Sequence, residues 1–212
     1  MTTIFEAIDR EDSDAALGAL RADPSVARTR HESGVTPVLY AMYHHRFALA
    51  RELAGAAGDL DLHEAATVDD AGRVRALLTG GAPVEERTGD GFTPLQLAAY
   101  FGAPGAASVL LDAGADVHAR SDNPMRIQPL HAAAAGRHSD VAALLIAAGA
   151  DVRAAQSHGY TPLHSAVQNG DAALVDALLA AGADRYATTD DGRTPAQVAT
   201  EAGHADLAAR LA

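Results

Sequence analysis

From residue 90 onward the apolar positions recur in two alternating short blocks. The first block is a compact run of small and apolar residues behind a Pro, as in Thr161-Pro162-Leu163-His164-Ser165-Ala166-Val167. The second has helical spacing: Val141, Leu144 and Leu145 in one copy, Leu174, Leu178 and Leu179 in the next. Apolar residues three and four apart share one face of a helix, so each second block predicts an amphipathic helix. Thr before Pro reads as an N-cap followed by a first helical residue whose missing N–H leaves no bond unmade, so each first block predicts a helix as well. Gly102, Gly170 and Gly203 stand where that first helix must end, and glycine supplies a left-handed residue at low cost. A Gly-Ala-Asp closes the second helix, and a polar, turn-rich stretch leads to the next Pro.

The alternation is periodic. Pro94, Pro129, Pro162 and Pro195 are 35, 33 and 33 residues apart, and Gly114, Gly149 and Gly182 keep the same offsets. Gly81-Ala82-Pro83 is a degenerate earlier copy of the Gly-Ala-Asp. A period of this length marks a stacked array of supersecondary units, none of which can bury its own apolar face alone. The motifs resemble the ankyrin repeat, whose pattern is DxxGxTPLHxAAxxGHxxxVxxLLxxGADV, most strongly from Asp90 to Gly203. The resemblance implies an all-α ankyrin-repeat solenoid of helix pairs with projecting β-hairpin-like fingers.

The earlier part of the chain is more degenerate. Gly34-Val35-Thr36-Pro37-Val38-Leu39-Tyr40-Ala41 copies the start of a unit, with a second helix expected from Phe47 to about Ala56. Leu62-His63-Glu64-Ala65-Ala66 follows only 24 residues after Val38, a deletion that removes the long finger between those units. Ile4 to Ile8 and Ala16 to Leu20 read as one more pair. The expected organisation is one domain over 1–212 of about seven helix pairs, at 3–30, 31–59, 60–86, 87–119, 120–154, 155–187 and 188–212, with polar outer faces capping both ends.

Composition narrows the chemistry. The chain has 212 residues, 48% hydrophobic but only 4% aromatic, so its core is expected to be thin helical layers rich in Ala and Leu. A formal net charge of −12 argues against a nucleic-acid partner, which needs a Lys/Arg face. Every basic residue is Arg, which together with the Ala richness suggests a GC-rich, bacterial coding genome. Cys is absent, which removes disulfides, thiolate metal sites and Cys nucleophiles. Neither a signal sequence nor a membrane-length apolar run is present, so a cytoplasmic protein without membrane attachment is expected.

No catalytic constellation appears, and no cofactor or metal site is expected. His63, His131 and His164 occupy the His of the repeated Leu-His, and His138 and His204 the turn between helices; a metal would need several such ligands converging on one ion. Acidic pairs such as Asp190-Asp191 read as solvated turn and cap residues.

Surface recognition remains. The resemblance implies a protein partner docking on the concave side, on finger tips and the exposed ends of the first helices. Those positions hold Val35, Tyr43 and His44 in the second unit, Thr67 and Val68 in the third, Phe92, Tyr100 and Phe101 in the fourth, Ala135 in the fifth, His158, Tyr160, Gln168 and Asn169 in the sixth, and Asp190, Asp191, Arg193 and Glu201 in the seventh. Five of the nine Phe and Tyr residues fall among them, and aromatic side chains are favoured interface anchors. The fifth finger departs from the pattern. Asn123-Pro124-Met125-Arg126-Ile127 is two residues longer, and Gln128 replaces the capping Thr. That unit is expected to lose a cap worth about 1 kcal/mol, with Met125 and Ile127 either packing on neighbouring fingers or meeting a partner, and Arg126 facing a partner in both cases. The expected function is a non-enzymatic interaction module, an adaptor or inhibitor that is a monomer on its own. The alternative is a small-molecule or metal-binding repeat protein using His44, His45 or the fifth finger.

Overall fold

Each Thr-Pro start opens a helix; the Thr side chain caps the first turn at Thr93 and Thr194 and makes no cap at Thr36 or Thr161. In the computed structural model, which describes residues 3–212, Thr93 Oγ1 accepts from Gln96 N–H while Thr93 N–H donates to Gln96 Oε1 at 2.8 Å. Thr194 and Gln197 repeat this exchange. Asp61 and Glu64 make the same exchange at a start that lacks Pro. The described residues hold fourteen α-helices and no strand. They are α1 Ile4–Asp9, α2 Ser13–Ala22, α3 Pro37–Tyr43, α4 Phe47–Ala57, α5 Leu62–Thr67, α6 Ala71–Thr79, α7 Pro94–Phe101, α8 Pro104–Asp112, α9 Pro129–Gly136, α10 Ser139–Ala147, α11 Pro162–Gln168, α12 Ala172–Ala180, α13 Pro195–Glu201 and α14 Ala205–Leu211. The expected second helix at Phe47 runs one residue past Ala56, and the two N-terminal helices lie over the segments that predicted them.

Odd-numbered helices stack in chain order, α1 on α3 through to α11 on α13, and each also packs on the even-numbered helix after it. The even row stacks from α6 to α12. Leu95, Leu130 and Leu163 of the odd row and Leu110, Leu145 and Leu178 of the even row are buried between the rows, and each contributes about 2 kcal/mol. The buried pairs Ala65-Ala66, Ala98-Ala99 and Ala133-Ala134 let the odd helices approach closely.

Each odd helix is followed by one residue in the left-handed region: Glu11, His45, Asp69, Gly102, Arg137, Gly170 and Gly203, with φ from 58° to 82°. In the fifth unit that residue is Arg137, because its glycine stands one place earlier. A side chain with a Cβ in this region costs about 1–2 kcal/mol, partly offset by the extra chain entropy that glycine brings to the unfolded state. Arg137→Gly is therefore expected to raise stability by about 0.5 kcal/mol, read as a higher urea midpoint.

The fingers are backbone hairpins without strand pairing. Thr88 N–H donates to Phe92 C=O, Gln156 to Tyr160 and Thr189 to Arg193, each spanning four residues, and His31 to Val35 does the same in the finger of the second unit. In the fifth finger Ser121 N–H reaches Ile127 C=O, so the loop is longer by the two inserted residues. Between α4 and α5 only 58–61 intervene and no finger forms, as the shortened spacing predicted.

Candidate functional site

The repeated histidines hold the fingers to the helices. His131 Nε2–H donates to Ala154 C=O at 3.0 Å while its Nδ1 accepts from Gln128 N–H. His164 does the same between Arg193 C=O and Thr161 N–H. Both rings use both nitrogens as neutral imidazoles. Burial pulls His131 down to about 4 and lowers His164 in the same direction. At the equivalent place in α7, Gln96 Nε2 donates to Ala119 and Ile127 C=O.

Two grooves open between the fingers and the odd-numbered helices. The first, of about 340 Å³, is lined by Tyr43, Phe92, Gln96, Leu97, Tyr100, Met125, Ile127, His131, Ala135 and Gln156. The second, of about 670 Å³, is lined by Pro124, Met125, Ala135, Gln156, Ser157, His158, Tyr160, Ser165, Gln168, Asp190, Asp191 and Arg193. The grooves share Met125, Ala135 and Gln156. Ala135 sits six residues after its helix-starting Pro, as do Tyr43, Tyr100, Gln168 and Glu201. A methyl group where its neighbours carry Tyr and Gln leaves the floor open beneath the Met125 side chain.

The fifth finger has two roles. Its backbone is tied on both sides. Asp122 N–H donates to Gly91 C=O, Asn123 Nδ2 to Asp90 C=O, and Ser157 N–H to Met125 C=O. The Met125 side chain is left 52% exposed, above the 38% of Tyr100, so these are the freest of the apolar candidates. Arg126 takes the left-handed position (φ 50°) that glycine fills in the other fingers. It is exposed, makes no side-chain hydrogen bond or ion pair among the described residues, and lines neither groove. Gln128 makes no side-chain cap; its Nε2 donates instead to His118 C=O at 3.2 Å.

Of the other candidates, Tyr43, Phe92, Tyr100, His158, Tyr160 and Gln168 line the two grooves, and several expected exposed positions are otherwise engaged. Tyr43 is half-buried and donates its hydroxyl to Asp90 Oδ2 at 2.9 Å; burial, and then the Asp90 carboxylate, push its phenol well above the usual range. Phe101 packs in an aromatic cluster with Tyr43, Phe47 and Tyr100 and lines a separate pocket on the turn side with His45, Phe47 and His138. Tyr43 and Phe101 flank α5, and their rings come within 5.7 Å of each other over its end. There Thr67 is buried, with its hydroxyl bonded back to His63 C=O, and Val68 is half-buried. Val35 is buried in the core. Asn169 spends its Nδ2 on the carbonyls of Ala134 and Ala135, joining two units. His44 stacks on Tyr40, 4.2 Å between ring centroids, away from both grooves.

At the far end, Arg193 lies between Asp191 and Glu201 with its guanidinium 5.8 Å from the Tyr160 ring. Asp191 first, then Glu201, hold it charged.

Helix pairs with left-handed turns, histidine-anchored fingers and an inserted hairpin give a specific frame for comparison. A family profile described as Ankyrin repeats (3 copies) matches residues 119–189, and one described as Ankyrin repeat matches 90–122. Residues 90–189 of the chain are ankyrin repeats. Ankyrin repeats are in general protein–protein interaction modules and typically non-catalytic. In this ankyrin array both grooves lie mainly on the matched units, and Tyr43, from before the matched stretch, closes one end of the first. No helix among the described residues is long and apolar enough to cross a membrane. Leu97 and Gln156 are groove residues that the sequence did not single out, whereas Ala135 was expected there as the exposed position of the fifth unit, which the period aligns with Tyr100 and Gln168.

Proposed function

We propose that the chain is a non-enzymatic adaptor or inhibitor that takes a protein partner on the concave face and finger tips of its fourth to sixth units, 87–119, 120–154 and 155–187. It acts as one monomeric array of seven helix pairs. The observation that carries this reading is the pair of grooves meeting at Met125 and Ala135. They set the exposed Tyr100 and Met125 beside the polar His158 and Gln168 in two adjoining grooves. Aromatic and flexible apolar side chains around an open floor suit the insertion of a partner's side chains.

Tyr100 is the decisive position, because Phe101 also holds the aromatic cluster together. Tyr100→Ala should leave the thermal midpoint within about 2 °C, as expected of a half-exposed side chain. In affinity capture from the native host's extract, the same variant should lose the proteins that the wild-type chain retains. Equal capture by a folded Tyr100→Ala would overturn the reading.

A further inference from the structure

We infer that the partner of the two grooves is an extended peptide segment carrying an apolar side chain and, about six residues away, an Arg or Lys. This rests on the function proposed above and adds the chemistry of the occupant. The positions six residues after each helix-starting Pro change character along the array: Tyr43 and Tyr100, then Ala135, then Gln168, then Glu201. The pair of grooves is thus apolar and aromatic at one end. At the other it holds two carboxylates, Asp190 and Asp191, against one guanidinium, Arg193, and a third carboxylate, Glu201, sits on that guanidinium outside the groove lining.

Two of those carboxylates are already committed to Arg193. Asp190 is not. It is exposed, lines the larger groove, and its carboxylate makes no hydrogen bond or ion pair among the described residues. With Gln168 and the hydroxyls of Ser157 and Ser165 around the same groove, it offers a cation a charge and several acceptors. The chain's formal charge of −12 favours the approach of a basic segment over an acidic one. Arg126, the one free cation of the fifth finger, lines neither groove and does not reverse that balance.

The spacing follows from the stack. Neighbouring odd helices lie about 9 Å apart, and the apolar groove is roughly two units from the Asp190 finger. An extended chain advances about 3.3 Å per residue, which puts the two anchors about six residues apart.

A random dodecapeptide phage library selected on the full chain tests this. The expected result is enrichment of peptides that pair a Leu, Met or aromatic residue with Arg or Lys at five to seven positions' separation. Synthetic copies of the enriched peptides should lose about five-fold in affinity on Asp190→Asn, in the range of an exposed ion pair. They should lose at least about ten-fold on Ala135→Gln, which fills the floor with the side chain the sixth unit already carries. Binding should weaken as salt is raised from 50 to 300 mM. If the peptides are blocked by Ala135→Gln but carry no basic residue and ignore Asp190→Asn, the basic-partner inference fails while the groove survives. If no peptide is enriched, or binding is indifferent to both Ala135→Gln and Tyr100→Ala, the inference falls together with the concave-face reading.

Discussion

Gly136→Ala is expected to destabilise the chain by about 3 kcal/mol, the upper end of overpacking costs. A Cβ built at Gly136 would lie 2.2 Å from the Tyr100 carbonyl oxygen and 2.7 Å from His138 Cδ2. The first of these is backbone and cannot rotate away, so α9 must move off the end of α7. In a stacked array each unit is held by its neighbours, and this interface joins the fourth unit to the fifth. The urea midpoint should fall by about 1–1.5 M for a slope of 2–3 kcal/mol/M. The transition should also broaden as the two halves begin to unfold separately. The displaced carbonyl belongs to Tyr100, so groove binding should weaken in parallel. Gly55→Ala is the matched control. Gly55 lies inside α4 with nothing within 4 Å of its would-be Cβ, and the same methyl there should stabilise by about 0.5–1 kcal/mol. Loss of stability at both positions, or at neither, would show that close approach at Gly136 is not the cause.

His131→Gln should flatten the acid limb of the stability profile. Burial holds the His131 pKa at about 4, below its ordinary 6.5, so the unfolded chain binds a proton there more readily than the folded one. Stability from this group is therefore complete above pH 6.5 and is lost as pH falls from 6.5 toward 4. The loss amounts to about 3 kcal/mol at 1.36 kcal/mol per unit. The structural reason is that a proton added to Nδ1 would face the Gln128 N–H that Nδ1 now accepts. His164 has the same arrangement and a pKa lowered by burial, so it adds to the loss as pH falls below 6.5. Gln96 shows that a neutral amide can make both bonds at this place, accepting from Thr93 N–H and donating to Ala119 C=O. Urea titrations of the wild-type chain and of His131→Gln, at pH 7 and pH 4, isolate the residue, because every other group titrates alike in both. The difference between them should shift by about 3 kcal/mol in favour of the variant at pH 4. A difference that does not change with pH would sink the assignment.

Much of the array is legible in the sequence because its landmarks act locally. Thr93 and Thr194 cap their own first turns, a left-handed residue ends its own helix, and the four-residue finger closes on itself. The two extra residues between Pro94 and Pro129 appear in the structure as the longer Ser121-to-Ile127 loop, in the finger where they were read. Exposure was less legible. Tyr43, Phe101 and Asn169 occupy positions that face outward in a single unit. Tyr43 is covered by Asp90 and Phe101, from the fourth unit, while Asn169 is held by carbonyls of the fifth. Such partners lie 34 to 58 residues away and leave no trace in a short window of sequence.

The sequence by itself determined the repeat, the helix pairs, the missing finger between the second and third units and the place of the inserted one, since each follows from period and capping within one unit. Only the tertiary structure decided which side chains remain free to bind. It showed that the inserted finger gives its backbone to its neighbours and its Met125 side chain to the surface. It also showed that Ala135 matters for the space it leaves. These outcomes depend on how successive units fill or leave open the gap between them, which is settled when the units stack.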